Sequence, residues 1–281
     1  MPTISIVGLG NLGTVLASTL SAAGYRVKVV VVRKKSRTSA AVKAFSRKLK
    51  SHLAELGTDV FDTEVVWITV PDDAIASVAR TLGRSQDWKG KVAFHSSGAL
   101  TSDELAPLRD RGAQVASVHP MMTFVRGAVP QMAGVAFAVE GDAVAVRVAK
   151  SIVERLGGDA FSIRKENKVL YHVFGSFASP LVIALMVSLE EVALAAGVRK
   201  QDIKPIMVPL LWQTLHNYLK NDAASAFSGP LVRGDVATVR KHLAELKKLP
   251  QARNVYLALA RAAIKNLPVK NQKQLAKELG R

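Results

Sequence analysis

The sequence predicts an α/β protein in which a doubly wound, mostly parallel sheet is followed by an all-α helical region. Three observations carry this. A β-branched run, Ile4-Ser5-Ile6-Val7, enters the complete G-x-G-x-x-G of Gly8-Leu9-Gly10-Asn11-Leu12-Gly13. Strand-like and helix-like patterns then alternate as far as about residue 164, as a parallel sheet with crossover helices requires. Beyond that point strand signals stop and apolar helical spacing covers nearly everything.

The glycine turn is physical before it is a signature. Gly8 permits the tight turn, Gly10 lets the backbone approach a pyrophosphate, and Gly13 lets the following helix close onto the strand. Phosphates then face a helix N-terminus, whose unpaired N–H groups and dipole favour negative charge. Helical spacing from Val15 to Leu20, a stop at Gly24 and a second β-branched run from Arg26 to Val32 complete one βαβ unit of the Rossmann type. NAD enzymes usually place Asp or Glu about 20 residues beyond the glycines, on the ribose 2′-hydroxyl. Here Arg33-Lys34-Lys35-Ser36-Arg37 occupies that place. Arg33 and Lys34 offer charge and Ser36 a hydroxyl to a 2′-phosphate, which a carboxylate would repel. The expected cofactor is therefore NADP(H). The alternative for this run is a solvated basic loop.

Val42, Phe45, Leu49, Leu53 and Leu56 next follow helical spacing. Val65 to Val70 reads as a buried strand stopped by Pro71-Asp72-Asp73, followed by a helix from about Ala74 to Leu82. Lys91 to His95 is a strand that leads into Ser96-Ser97-Gly98, and Thr101-x-x-Glu104 has the pattern of a capping box. Gln114 to Val118 precedes His119-Pro120; Val135 to Val139 and Ala160 to Ile163, on either side of a helix from Ala143 to Leu156, complete the sheet. Helices follow over Val169–Ala196, Ile203–Lys220, Val236–Leu249, Arg253–Asn266 and Gln272–Glu278, with Pro205, Pro209, Pro230 and Pro250 marking turns, first turns or kinks. The expected division is a dinucleotide-binding domain over 1–164 and a helical domain over 165–281.

At 281 residues, 49% apolar and 22% charged, the chain is globular. It has no cysteine, which excludes disulfides, thiolate nucleophiles and Cys-based metal sites, and no metal is expected. Met1-Pro2-Thr3 leads directly into the first strand with no signal-peptide pattern, so a cytoplasmic location is expected. Val169 to Leu189 carries no formal charge and is long enough to span a bilayer. His172, Gly175, Ser176, Ser179, Pro180 and Ser188 within it, and Glu190-Glu191 after it, favour a helix buried by protein on all sides. The net charge of +17 raises nucleic acid as a partner. The basic residues, however, interleave with helical apolar positions and lack neighbouring aromatics for base stacking, so no nucleic-acid function is expected.

Open parallel sheets bind ligands outside the carboxyl ends of their strands. Val70-Pro71-Asp72 falls where a nicotinamide ribose is expected, although Pro71 could simply stop a strand and Asp72 cap a helix. Ser96, Ser97 and Gly98 could offer hydroxyls and N–H groups to a carboxylate, phosphate or carbonyl of the substrate, or form an ordinary loop. His119 could bind substrate, shuttle a proton, or be structural. Lys168, Tyr171 and His172 stand at i, i+3 and i+4, so they share one helical face, and any of them could give the proton that accompanies hydride transfer. In the later loop Phe227 to Asp235, Asp235 suits a helix cap and Arg233 could reach an anion or a second subunit.

Four phrases, HSSGAL, SVHPMMTF, KVLYH and FSGPLVRGD, in this order behind the glycine turn, resemble the Rossmann-like family that carries a C-terminal DUF2520 domain. The resemblance covers essentially the whole chain. It implies kinship with pyrroline-5-carboxylate reductase, F420-dependent NADP reductases and β-hydroxyacid dehydrogenases, hence an NADP-binding domain and a helical domain that dimerises. Lys168 resembles the catalytic lysine that begins the long helix in β-hydroxyacid dehydrogenases. Where the family commonly has Ser-Asn in that helix, this chain has Ser179-Pro180, which removes a polar group. The expectation is an NADP(H)-dependent oxidoreductase acting on a small polar carbonyl, imine or hydroxy acid, with Lys168, Tyr171 and His172 as catalytic candidates. The alternative is a catalytically silent NADP(H)-binding sensor. The very apolar last helices favour a homodimer.

Overall fold

The computed structural model describes residues 1–127 and 130–280. The chain forms two compact units, Met1–Ser176 and Phe177–Arg281.

The first unit is built on β1 (Ile4–Val7), α1 (Asn11–Ala22), β2 (Val27–Val32), α2 (Ala40–Lys48), β3 (His52–Glu55), β4 (Val65–Ile68), α3 (Asp72–Ser85), β5 (Val92–His95), α4 (Ala106–Arg109), β6 (Gln114–Pro120), β7 (Ala136–Gly141), α5 (Ala143–Arg155), β8 (Asp159–Ser162) and α6 (Lys168–Ala178). The strands form one sheet in the order β3-β2-β1-β4-β5-β6-β7-β8, parallel throughout except that β7 runs antiparallel to β6. The order reverses at β1, so the loops after β1 and β4 flank the switch point where ligands sit in such sheets. β1, β4 and β5 are buried along their whole length, which is why their sequences read as unbroken apolar runs. Leu16 and Leu20 of α1 with Ile152 and Val153 of α5 cover one face of the sheet. Ile75 and Leu82 of α3 with Leu108 of α4 cover the other.

Several expectations are corrected here. The helical spacing from Val42 to Leu56 belongs to two elements. α2 ends at Lys48, Lys50 adopts a left-handed φ of 55°, and the Ser51 hydroxyl donates to the Val27 carbonyl. The chain is thereby turned onto the edge of β2, and Leu53 lies in β3. Pairing with a sheet edge outweighs local helical periodicity. Thr101 does not form a capping box over Glu104: its hydroxyl accepts from the Asp103 N–H at 3.4 Å, opening a 3-10 turn over Ser102–Leu105 before the single turn of α4.

The second unit comprises α7 (Pro180–Ala195), α8 (Lys200–Lys220), α9 (Ala223–Ala226), α10 (Pro230–Arg233), α11 (Val236–Glu245), α12 (Pro250–Asn266) and α13 (Gln272–Glu278). Val239 and Leu243 of α11, Leu257 and Ile264 of α12 and Leu275 of α13 form its core. Asp235 caps α11, its carboxylate accepting from the Thr238 N–H at 3.0 Å. Pro205 and Pro209 mark neither turns nor ends; both lie inside the continuous α8. Proline in a helix leaves the carbonyl four residues earlier without its N–H donor, here those of Gln201 and Pro205.

The expected fully buried helix is also corrected. Pro180, which cannot continue the backbone ladder, divides it into α6 and α7. Its apolar residues are largely exposed, Leu170 at 73% and Ile183 at 63%, because nothing among the described residues covers them. By length and composition alone Lys165–Ala195 is apolar enough to cross a membrane, a test that helices of soluble proteins also pass.

Candidate functional site

The glycine turn has the shape that its sequence implies. Gly8 has a φ of 92°, and a Cβ on Gly13 would collide with the Gly8 carbonyl oxygen and lie 2.6 Å from Thr69 Oγ1. That hydroxyl donates to the Gly8 carbonyl at 2.6 Å, so the end of β4 fixes the turn. At Gly10 the position of a Cβ faces open space. Gly10 caps α1 without a side chain, which leaves the first N–H groups of the helix without a side-chain acceptor. Leu9 and Leu12 pack against the core beneath. An open cradle of backbone donors at a helix N-terminus fits a pyrophosphate. The Asn11 amide donates to the Phe124 carbonyl at 2.9 Å and so ties this turn to the segment after β6.

Beyond β2 the basic run divides. Lys35 is held by Asp59 at 2.5 Å, and its N–H donates to the Glu55 carboxylate at 2.9 Å. Arg33, Lys34 and Ser36 are exposed, and their side chains make no hydrogen bond or ion pair among the described residues. Their donors are thus open to an anionic group. After β4, Val70 is half-buried and Pro71 precedes α3, while Asp72 opens that helix with its carboxylate accepting from the Ser97 hydroxyl at 2.6 Å.

The loop after β5 is tied inward. Ser96 Oγ accepts from the Trp67 indole N–H at 2.8 Å. The Ser97 N–H donates to His95 Nδ1 at 3.1 Å, and Ser97 Oγ also accepts from the Leu100 N–H at 2.9 Å. The Ser96 and Ser97 groups expected to face a substrate therefore hold the loop itself. His95 is fully buried; burial pushes it down to about 4, so it is neutral, with Nε2 2.9 Å from the Thr101 carbonyl. Gly98 is different, because a Cβ there would meet the His172 ring at 2.6 Å and His119 Nε2 at 2.8 Å. Only glycine lets these two imidazoles close over the loop.

α6 lies against the strand face that carries Ser117 and His119. Lys168, wholly buried at the start of the helix, donates to the Ser97 carbonyl at 3.0 Å and to Ser117 Oγ at 2.6 Å. One helical turn on, Tyr171 Oη is hydrogen-bonded to His119 Nδ1 at 3.0 Å. Two positions along the strand thus meet residues three apart on the helix, as side-chain periods of 2 and 3.6 allow. His172 is exposed, its ring 6.2 Å from that of His119.

Burial lowers Lys168 to about 8, against the opposing charges of Glu140 and Asp72. Burial, with the charge of Lys168 next, pushes His119 down to about 4, and burial raises Tyr171 to about 12. At neutral pH the site therefore presents a neutral imidazole and a neutral phenol above a buried ammonium. A phenol partnered by an imidazole can give and regain a proton. Lys168, enclosed by Ser97 and Ser117, has no exposed surface with which to meet a ligand.

Sequence reasoning singles out neither Ser117 nor Glu140. Ser117 lies two residues before His119, on the same strand face. Buried Glu140 on β7 accepts from the Ser102 N–H at 2.7 Å and hydroxyl at 2.8 Å. The strand alternation could have found Ser117; Glu140 depends on a pairing between distant elements.

Residues 2–120 match the family described as a Rossmann-like domain, and residues 135–263 match the domain of unknown function DUF2520. The chain is a Rossmann-like and DUF2520 domain-containing protein. No curated protein matches it in sequence. Among solved structures it is similar to a candidate NADP oxidoreductase from Bacteroides fragilis, with 18% identity over 93% of this chain and 97% of that one, and a TM-score of 0.75. An imine reductase from Aspergillus terreus, in complex with NADPH4 and dibenz[c,e]azepine, matches at 16% identity over 99% of both chains with a TM-score of 0.66. A pyrroline-5-carboxylate reductase from Coxiella burnetii matches at 18% identity over 93% of this chain and 98% of that one, with a TM-score of 0.58. At these identities the likeness is one of fold.

Proposed function

We propose that this protein is a cytoplasmic NADP(H)-dependent oxidoreductase that moves a hydride between the nicotinamide and a small polar carbonyl, imine or hydroxy acid. The observation that carries the reading is the hydrogen-bonded continuity of the strand ends. Asn11 to Phe124 joins the glycine turn to the segment after β6; Asp72 to Ser97 joins the loops after β4 and β5. Ser97, Ser117 and Lys168 join β5 to β6 and α6. A dinucleotide cradle and a proton-bearing pair thus belong to one connected surface.

In this reading the turn Gly8-Leu9-Gly10-Asn11-Leu12-Gly13 holds the pyrophosphate, Arg33, Lys34 and Ser36 hold the 2′-phosphate, and Val70, Pro71 and Asp72 border the nicotinamide ribose. Bound there, the nicotinamide supplies or accepts the hydride. The Tyr171 hydroxyl holds a proton for the atom that receives one, His119 is its partner, and Gly98 and His172 bound the space beside them. An imine stands among the candidate acceptors because an imine reductase and a pyrroline-5-carboxylate reductase share the fold.

The test is fluorescence titration of the purified protein with NADPH and NADH, followed by NADPH oxidation over a panel of oxo acids and cyclic imines. Turnover that is lost in Tyr171→Phe supports the enzyme. Tight NADPH binding without turnover on any compound assigns the protein to NADP(H) sensing instead.

We also read residues 165–281 as the helical substrate and dimerisation domain and residues 1–164 as the dinucleotide-binding domain. Ile183 and Val187 of α7 and Ile206, Leu210 and Trp212 of α8 are large apolar side chains left exposed, the kind of residue that associates. A homodimer in light scattering at micromolar concentration is expected; a monomer removes this part of the proposal.

A further inference from the structure

We propose that Lys168 acts through the His119–Tyr171 pair as a positioning residue and does not itself meet the substrate. The inference rests on the oxidoreductase reading above. Three observations support it. Lys168 has no exposed surface, and two of its ammonium hydrogens are directed at the Ser97 carbonyl and Ser117 Oγ. Ser117 and His119 share one face of β6, while Lys168 and Tyr171 share one face of α6, so the lysine fixes the spacing at which Tyr171 reaches His119. Ser97 precedes Gly98, over which the His119 ring closes, so the same ammonium also anchors the floor beneath that ring.

Lys168 has an electrostatic effect as well. The groups that act on His119 are Lys168 and His172 on α6 and His95 at the end of β5, with Tyr171 hydrogen-bonded to it, while Asp72 at the start of α3 and Glu140 on β7 act on Lys168. Asp72 is tied to Ser97, and Glu140 to Ser102. After burial, Lys168 is the leading charge among the causes that together lower His119 to about 4. When Tyr171 gives its proton to the acceptor atom, the phenolate takes one from His119 Nδ1, and His119 Nε2 takes one from water. In the reverse direction each transfer reverses, which a neutral imidazole permits and an imidazolium does not.

The experiment is NMR titration of the His119 ring in wild type, Lys168→Met and Lys168→Gln, with NADPH bound, alongside pH profiles of kcat. Removing the charge is expected to raise the His119 midpoint by about one unit, as loss of a nearby like charge does. The acid limb of kcat should move up with it, and Lys168→Arg should restore both. Lys168→Gln keeps hydrogen-bond donors and serves if Lys168→Met does not fold. An unchanged His119 midpoint, with kcat lowered equally at every pH, overturns the proposal, as does a wild-type kcat for Lys168→Met. The titration needs no substrate, so a lack of turnover in wild type counts against the oxidoreductase reading alone.

Discussion

Tyr171 Oη and His119 Nδ1 stand 3.0 Å apart, one on α6 and the other near the end of β6, with burial holding both groups neutral at physiological pH. Tyr171→Phe removes the only hydroxyl in this pair and little volume. It is expected to lower kcat by about 10²–10⁴-fold, the usual range for a general acid, and to leave NADPH affinity unchanged. Steady-state kinetics with a matched cofactor titration checks this, and a kcat within threefold of wild type would remove Tyr171 from the reaction.

Arg33 and Lys34 are exposed and engage no other described side chain, so replacing them disturbs little of the fold. Arg33→Glu with Lys34→Ser should change stability by no more than about 0.5 kcal/mol. Losing charge-assisted contacts of about 1.5–3 kcal/mol each, it should weaken NADPH by at least tenfold. NADH affinity should hold. Equal losses for the two nucleotides in calorimetry would refute this use of the basic run.

Gly98→Ala should separate binding from chemistry. The added methyl lies within 2.8 Å of both imidazoles over the loop, so His119 or His172 must move, whereas the glycine turn belongs to another loop. The expected result is a lower kcat with unchanged NADPH affinity. Gly13→Ala should do the reverse, pressing on backbone with a cost of about 1–3 kcal/mol in stability, read by urea unfolding, and weakening the cofactor.

His95 should make the protein acid-sensitive. Its folded value near 4 lies below the 6.5 of an unperturbed imidazole. The unfolded chain therefore binds more protons between these values, so stability is complete above pH 6.5 and falls as pH drops through about 4. The difference is worth about 3 kcal/mol. Urea midpoints at pH 7 and 4.5 should differ less in His95→Gln, whose amide can replace both ring hydrogen bonds. The same pH dependence in both proteins would assign the acid sensitivity elsewhere.

The first strand and glycine turn were legible because their information is local: β-branched burial followed by three glycines with distinct steric duties. The face shared by Lys168, Tyr171 and His172 followed from helical spacing. What helical spacing could not supply was the partner of each. Ser117 and Ser97 meet Lys168 only because β5, β6 and α6 come together, and Glu140 reaches Ser102 across 38 positions. β3 was missed because four residues on a sheet edge, with His52 exposed, carry too little alternation to outweigh the helical pattern around them. Pro205 and Pro209 left turn, first turn or kink open, and local sequence alone did not show that the helix runs on through both.

The pairing of β6 with β7 has a further consequence. The Rossmann-like match stops at residue 120 and the DUF2520 match starts at 135, yet Pro120 lies opposite Phe137 and Ala116 opposite Gly141 in one sheet. The bounds of the two family matches and the unit of folding are therefore out of step, and the gap between the matched segments falls within one sheet. A polypeptide ending at residue 127 should expose the bare edge of β6 and aggregate, whereas one ending at 176 should elute as a folded species in size-exclusion chromatography. Any exchange of the second segment between relatives must carry a matching strand edge with it.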